Sequence, residues 1–190
     1  MAKFEDRLIR DPLPLPTIIN PDAIQDFDYR RVVVRGGKWR HDLEMLIGPR
    51  MREGKNGFLV VTPLEREDGK GGRTRVLVCR GWIGKEFAPT KKRERFVGAL
   101  PEGEVVVEGL LREAWRRNMF TPVNKPESGE WYFPDVAEMA RHSGSQEVWV
   151  EETMKPDLIE AFDREEKGIP IGRPAEVNLR NNHAQYIFTW

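Results

Sequence analysis

Three histidines, His41, His142 and His183, and one cysteine, Cys79, are the candidate soft or borderline metal ligands of this 190-residue chain. They are so widely spaced that a three-histidine zinc site would require tertiary convergence. A single cysteine makes no intrachain disulfide. Cys79 follows Val78 in an alternating valine stretch, which reads as a buried, inert thiol rather than a redox or metal-binding group. Residues 48–55, Gly-Pro-Arg-Met-Arg-Glu-Gly-Lys, come near a phosphate loop but are one residue too long, and Asn56 stands where the hydroxyl belongs. None of the glycine-rich dinucleotide, nucleophile-elbow or zinc-protease motifs occurs. The carboxylates around Asp163 and Glu166 suit a solvated helix face better than an acid–base pair. No catalytic residue is assigned, and the chain reads as a binding or assembly module rather than an enzyme.

One constellation remains, in residues 178–190. A helix capped by Asn181 or Asn182 would put His183, Tyr186 or Ile187, and Trp190 on one stripe. A lone imidazole among aromatic side chains is a common way to ligate haem iron, and equally the setting of a structural histidine. The closing Tyr-Ile-Phe-Thr-Trp fits either a membrane–water boundary, where Tyr and Trp gather, or a last strand tucked into a core. No run of about 18 apolar residues occurs, so no spanning helix is expected within the chain as given, although both ends look cut.

These groups must be positioned by a β-rich body. Hydrophobic residues make up 39% and charged residues 33%, enough for a core beneath a charged surface. Thirty-one basic residues balance thirty-one acidic ones, so no global field draws nucleic acid or anionic lipid. Strands are expected at 29–36, closing on two glycines, at 43–49, at 58–62, at 74–82, at 104–112, at 147–151 and at 176–180. The stretch 65–73 reads as a hairpin loop. Val76, Val78 and Trp82 should share one face, with Arg75 and Leu77 on the other. Val105, Val107 and Leu111 should point inward, with Gly109 at a bend or bulge. Short helices are expected at 22–27, at 135–142 and at 156–167, the last strongly charged. The fold class is therefore α+β, a mainly antiparallel β barrel or sandwich with a few short helices inserted in the second half. Trp39, Trp82, Trp131 and Trp149 are expected as core anchors. The basic run at 91–95, and Arg112, Arg116 and Arg117 around Trp115, suit either a solvated surface or a barrel that binds single-stranded nucleic acid.

At residues 181–190 the chain resembles the Surfeit-locus family of cytochrome c oxidase assembly factors, and over residues 120–190 it resembles the fungal mitochondrial branch most. Further blocks run in order: Tyr29-Arg-Arg-Val, Gly36, Gly48-Pro-Arg50, residues 57–63, Val76-Leu-Val, Arg80-Gly-Trp82, Gly103-Glu-Val, Gly109-Leu-Leu-Arg112, Pro122, Asn124, Pro126, Trp131, Asp135, Met139-Ala140 and Gly168-Ile-Pro170. The family usually has Asn at the Cys79 position and Pro at that of Gly84. The resemblance implies a mitochondrial inner-membrane protein whose soluble domain faces the intermembrane space. It divides the chain into a proline-rich lead-in (1–26) after a removed membrane helix, a β-rich domain (27–180), and the start of a second, truncated membrane helix (181–190). It also implies a chaperone-like role in maturing the catalytic oxidase subunit and its haem a. The partners would be that subunit and other assembly factors, with membrane contact through absent segments and no nucleic acid. His183 matches the histidine associated with haem a in bacterial relatives, with Tyr186 and Trp190 beside it. An enzyme that transfers or modifies haem, and a single-stranded nucleic-acid-binding barrel, are the alternatives. The first would need a catalytic group not found here. The second predicts affinity that falls steeply with salt.

Overall fold

A computed structural model describes residues 10–174. Eight strands are formed: β1 (Leu13–Pro14), β2 (Arg31–Trp39), β3 (Met45–Arg52), β4 (Lys55–Glu67), β5 (Arg73–Gly84), β6 (Glu104–Arg112), β7 (Trp149–Met154) and β8 (Arg173–Pro174). Five of them close a ring in the order β2-β6-β7-β5-β4 and back to β2. All pairings in the ring are antiparallel except β5–β7. Numbered in chain order, the ring closes 1-2-3-5-4-1, the connectivity of the five-stranded OB barrel. β1, β3 and β8 are added outside it, on β2, β4 and β7. The expected α+β barrel is formed, with one parallel pair in it.

Period-two patterning builds two apolar layers. Val32, Val34, Leu64, Val76, Val78, Val107, Leu111 and Val150 fill the barrel, with Val105 packed against them. Outside the wall, Met45, Ile47, Val61, Leu77, Cys79 and Trp149 meet α1 (Val136–Ser143) through Val136, Met139 and Ala140, together with Trp131. β5 is therefore buried on both faces. Asp135 caps α1 by accepting from the Glu138 N–H at 3.0 Å, and Gly144 ends it in the left-handed region. Asp157 and Gly168 do the same for α2 (Leu158–Lys167). The four tryptophans expected as anchors are all buried.

Several local expectations are corrected. Trp82 does not share the barrel-facing side with Val78. Val60 pairs with Gly81 and Val61 with Cys79, so Arg80 is an extra residue. This bulge, in which Gly81 takes φ +135°, turns Trp82 to the outer face beside Leu59. Gly109 lies in regular register. It is there because a Cβ would sit 2.5 Å from the Glu151 carbonyl oxygen. β2 continues through Gly36 and Gly37 with a bulge, and β3 continues through the cis Gly48–Pro49 bond. Glu65 lies in β4 rather than in a loop, opposite Arg75 and bonded to it at 2.7 Å. The strand expected at 147–151 begins at Trp149 and runs on to Met154. The strand expected at 176–180 lies outside the described residues.

Charged side chains close the barrel ends. Arg66 donates to the carbonyls of Leu15 and Pro16, each at 2.6 Å, and so holds the proline-rich lead-in against the wall. Arg93 lies in the basic run read as surface, yet it is fully buried. It donates to both Glu44 oxygens at 2.9 and 2.6 Å, and to the carbonyls of Phe87 and Ala88. Beside it, the His41 Nε2 is 2.8 Å from the Pro101 carbonyl, while Nδ1 is buried without a partner. The Nε2 proton therefore goes to Pro101, and protonating Nδ1 would bury an unsatisfied N–H. Burial holds the imidazole below its usual value. The Pro101 bond and Glu44 oppose this, while Arg80 and Arg93 add to it. A histidine lowered in the folded state costs stability as pH falls through its unfolded value of about 6.5. Urea midpoints should therefore drop between about pH 7.5 and pH 5.5, and a His41→Gln chain should show a smaller drop. Equal slopes for the two chains would contradict the assignment.

Candidate docking groove

The bulge at Gly81 has a direct consequence at the surface. It sets the Trp82 ring as the floor of a groove of about 490 Å³ between β3 and α2. Trp82 is 4% exposed, and its Nε1–H donates to the Arg50 carbonyl at 3.0 Å. Gly57 is required beneath it, because a Cβ there would lie 2.5 Å from the indole carbons. Gly81 is required behind it, because a Cβ would overlap the Ile171 carbonyl, which accepts from the Trp82 N–H at 3.1 Å. Leu59, Met154 and Ile171 complete the apolar lining, with Leu158 and Ala161 of α2 on one side and Met51 of β3 on the other. Arg50, Arg52 and Lys155 stand at the rim, and the Arg52 guanidinium lies 6.0 Å from the Trp82 ring centre. Asp157 is committed to capping α2.

The helix above is not simply the solvated charged element its composition predicts. Ala161 is its only buried residue, whereas Leu158, Ile159 and Phe162 are 84%, 83% and 59% exposed. Their spacing puts Leu158 and Phe162 one turn apart with Ile159 adjoining, so the apolar stripe is turned partly away from the barrel. Met51, 64% exposed, lies across the groove. A cluster of large apolar side chains around an open apolar groove makes this surface a candidate docking site.

The residues singled out in the sequence do not converge here. His183, Tyr186 and Trp190 lie outside the described residues. His142 packs edge-on to Trp131 at 5.4 Å, and His41 lies near Trp39. Among the described residues no group of three or more His, Cys, Asp or Glu side chains is placed to hold a metal ion. The Cys79 thiol is buried, and burial pushes it well above its usual value, so it is unreactive at neutral pH. Arg112 is internal rather than a free cation: it pairs with Glu151 at 3.1 Å and Asp28 at 3.2 Å, and faces the Tyr29 and Trp115 rings. With Arg93 also neutralised, two of the cations that suggested a nucleic-acid surface serve the fold instead. Sequence reasoning missed the groove. Of the blocks that carried the family resemblance, Gly48-Pro-Arg50 and Arg80-Gly-Trp82 contribute Arg50 and Trp82 to its lining, and Gly57 lies beneath the indole.

Fold and surface together describe a small mixed β-barrel that presents an apolar groove. The chain belongs to the SURF1 family, whose model matches residues 1–190. It is 29% identical to the cytochrome oxidase assembly protein SHY1 of Saccharomyces cerevisiae, 34% identical to a SURF1-like protein of Monosiga brevicollis and 33% identical to human Surfeit locus protein 1. In each case all of this chain is covered, together with 64%, 70% and 63% of the relative. No helix among the described residues is long and apolar enough to cross a membrane.

Proposed function

We propose that this chain acts in the assembly of cytochrome c oxidase, as a docking module that holds a maturing intermediate of the catalytic subunit. The observation that carries the reading is the Trp82 groove with the uncovered Leu158, Ile159 and Phe162 face, in a chain whose relatives include a named oxidase assembly protein. The same proposal places the protein at the mitochondrial inner membrane with its barrel facing the intermembrane space. His183, flanked by Tyr186 and Trp190, would present a neutral imidazole nitrogen to haem a, while the groove holds protein.

One experiment tests both parts. A version extended to the length of its relatives is used for capture from detergent-solubilised mitochondria, and bound haem is measured in the same sample. Ile159→Asp with Phe162→Asp should reduce recovery of the catalytic subunit by about tenfold or more, as for loss of two apolar anchors. Because both positions are exposed, the melting temperature should stay within a degree or two. His183→Ala should remove bound haem a and leave subunit capture intact. Unchanged capture by the doubly substituted helix would refute the docking role, and unchanged haem would refute the ligand role.

A further inference from the structure

A second cavity, of about 530 Å³, shares Trp82 with the groove. α2 serves both: Leu158 and Ala161 line the groove, while Phe162, Glu165 and Glu166 line the second cavity. The two cavities carry opposite charge. The groove lining holds three cations, Arg50, Arg52 and Lys155, against one carboxylate, Asp157. The second lining holds three carboxylates, Glu86, Glu165 and Glu166, against one cation, Lys55. Local pairing does not cancel the difference. Asp157 is committed to the α2 cap, and Lys55 is taken up by Glu165 at 3.3 Å. With the adjoining Glu53, 3.7 Å from Arg52, and exposed Lys85 included, each cavity still keeps one charge in excess, positive in the groove and negative in the other. Lys155, Glu86 and Glu166 are exposed and form no ion pair among the described residues. Arg50 donates only to the carbonyls of Pro49 at 3.1 Å and Tyr132 at 3.0 Å, and burial holds its guanidinium below its usual value. A guanidinium that has lost water without gaining a carboxylate favours one supplied from outside.

We infer that the occupant of this surface is an amphipathic helix of a partner protein, with a carboxylate at one end of its apolar stripe and a cation at the other. Its carboxylate meets Arg50, Arg52 and Lys155, and its cation meets Glu86 and Glu166. This occupant deepens the docking role proposed above and rests on it. Complementary charge at both ends fixes the direction in which the helix lies, while the apolar stripe covers Leu158 and Phe162. Leu158 and Glu166 stand eight residues apart on α2, so the partner's two charges are about 12 Å apart, roughly two helical turns. A helix suits the site better than an added strand. The Arg50 carbonyl of β3 is already engaged by the Trp82 indole, whereas α2 offers Leu158 and Phe162 as a ridge for a second helix.

The test uses one fluorescein-labelled peptide of about 18 residues, long enough to form a helix. It carries leucines at helical spacing, glutamates in its first turns and lysines in its last, and its anisotropy is read against the 190-residue chain. The parent chain should bind it. Arg52→Glu with Lys155→Glu should weaken binding about tenfold, and so should Glu86→Lys with Glu166→Lys. All four substitutions together should restore it to within about threefold, because the same peptide then docks turned end for end. Charges that served only the fold would instead make the fourfold variant the weakest binder. None of the four positions is buried, so melting temperatures should change little. No binding by the parent, equal binding by the paired variants, or a fourfold variant no better than either pair overturns the inference. The docking role fails separately, when Ile159→Asp with Phe162→Asp leaves subunit capture unchanged. If those two substitutions release the subunit but Arg52→Glu with Lys155→Glu still holds it, docking stands and the charge pattern assigned to its occupant is wrong.

Discussion

Glu151→Ala should lower the stability of the domain by about 3–5 kcal/mol, a large part of the roughly 5–15 kcal/mol available to such a domain. Glu151 is 2% exposed and joins three strands: it is on β7, accepts from Arg112 of β6 at 3.1 Å, and accepts from Arg173 of β8. Removing it takes from buried Arg173 and from Arg112 the Glu151 carboxylate to which both donate. Two largely buried cations would then lose a buried counter-charge, a larger penalty than the loss of an exposed pair. The unfolding midpoint should fall by roughly 10 °C. Because Pro174 of β8 lines the groove, amide exchange should also rise at Ile171, whose N–H donates to the Trp82 carbonyl at 2.9 Å. A loss below about 1 kcal/mol would mean that the cluster behaves as a surface pair.

That cluster shows where sequence reading succeeds and where it stops. The valines of β5 and β6 announced the barrel interior, because alternation at period two is a property of one strand and survives any tertiary arrangement. The capped helices were legible for the same local reason. The face of Trp82 was not. It depends on one extra residue in β5 relative to β4, which is a property of the pair, and neither strand records it alone. The groove therefore could not be read, although its floor, its glycines and its rim arginines stood in the sequence as separate blocks. Arg93 and Arg112 were misread for a related reason. A run such as Lys-Lys-Arg-Glu-Arg shows its charge but not which member meets a buried carboxylate forty-nine positions away. The apolar stripe of α2 was outvoted by its charges, since composition does not reveal the side that the barrel leaves uncovered.

The Arg93–Glu44 pair allows this reading to be tested through an asymmetry. Arg93 is fully buried and Glu44 nearly so, with side-chain exposures of 0% and 6%. The pair fastens the 3-10 turns Lys85–Phe87 and Thr90–Lys92 to the strand end beside Met45, since Arg93 also donates to the carbonyls of Phe87 and Ala88. Arg93→Met should destabilise by about 3–5 kcal/mol, because it leaves the Glu44 carboxylate buried without a partner. Glu44→Leu should do comparable harm by stranding the guanidinium, eased in part by the two carbonyls that still accept from it. The double substitution should cost less than the worse single one, because no charge is then left alone in the core and two apolar side chains occupy the space. Urea unfolding with an unchanged denaturant slope would place these differences in the folded state. If the double variant instead loses the sum of the two singles, the pair is not an energetic unit. The barrel end would then be held by the Arg93 bonds to backbone carbonyls, with the carboxylate an independent contributor.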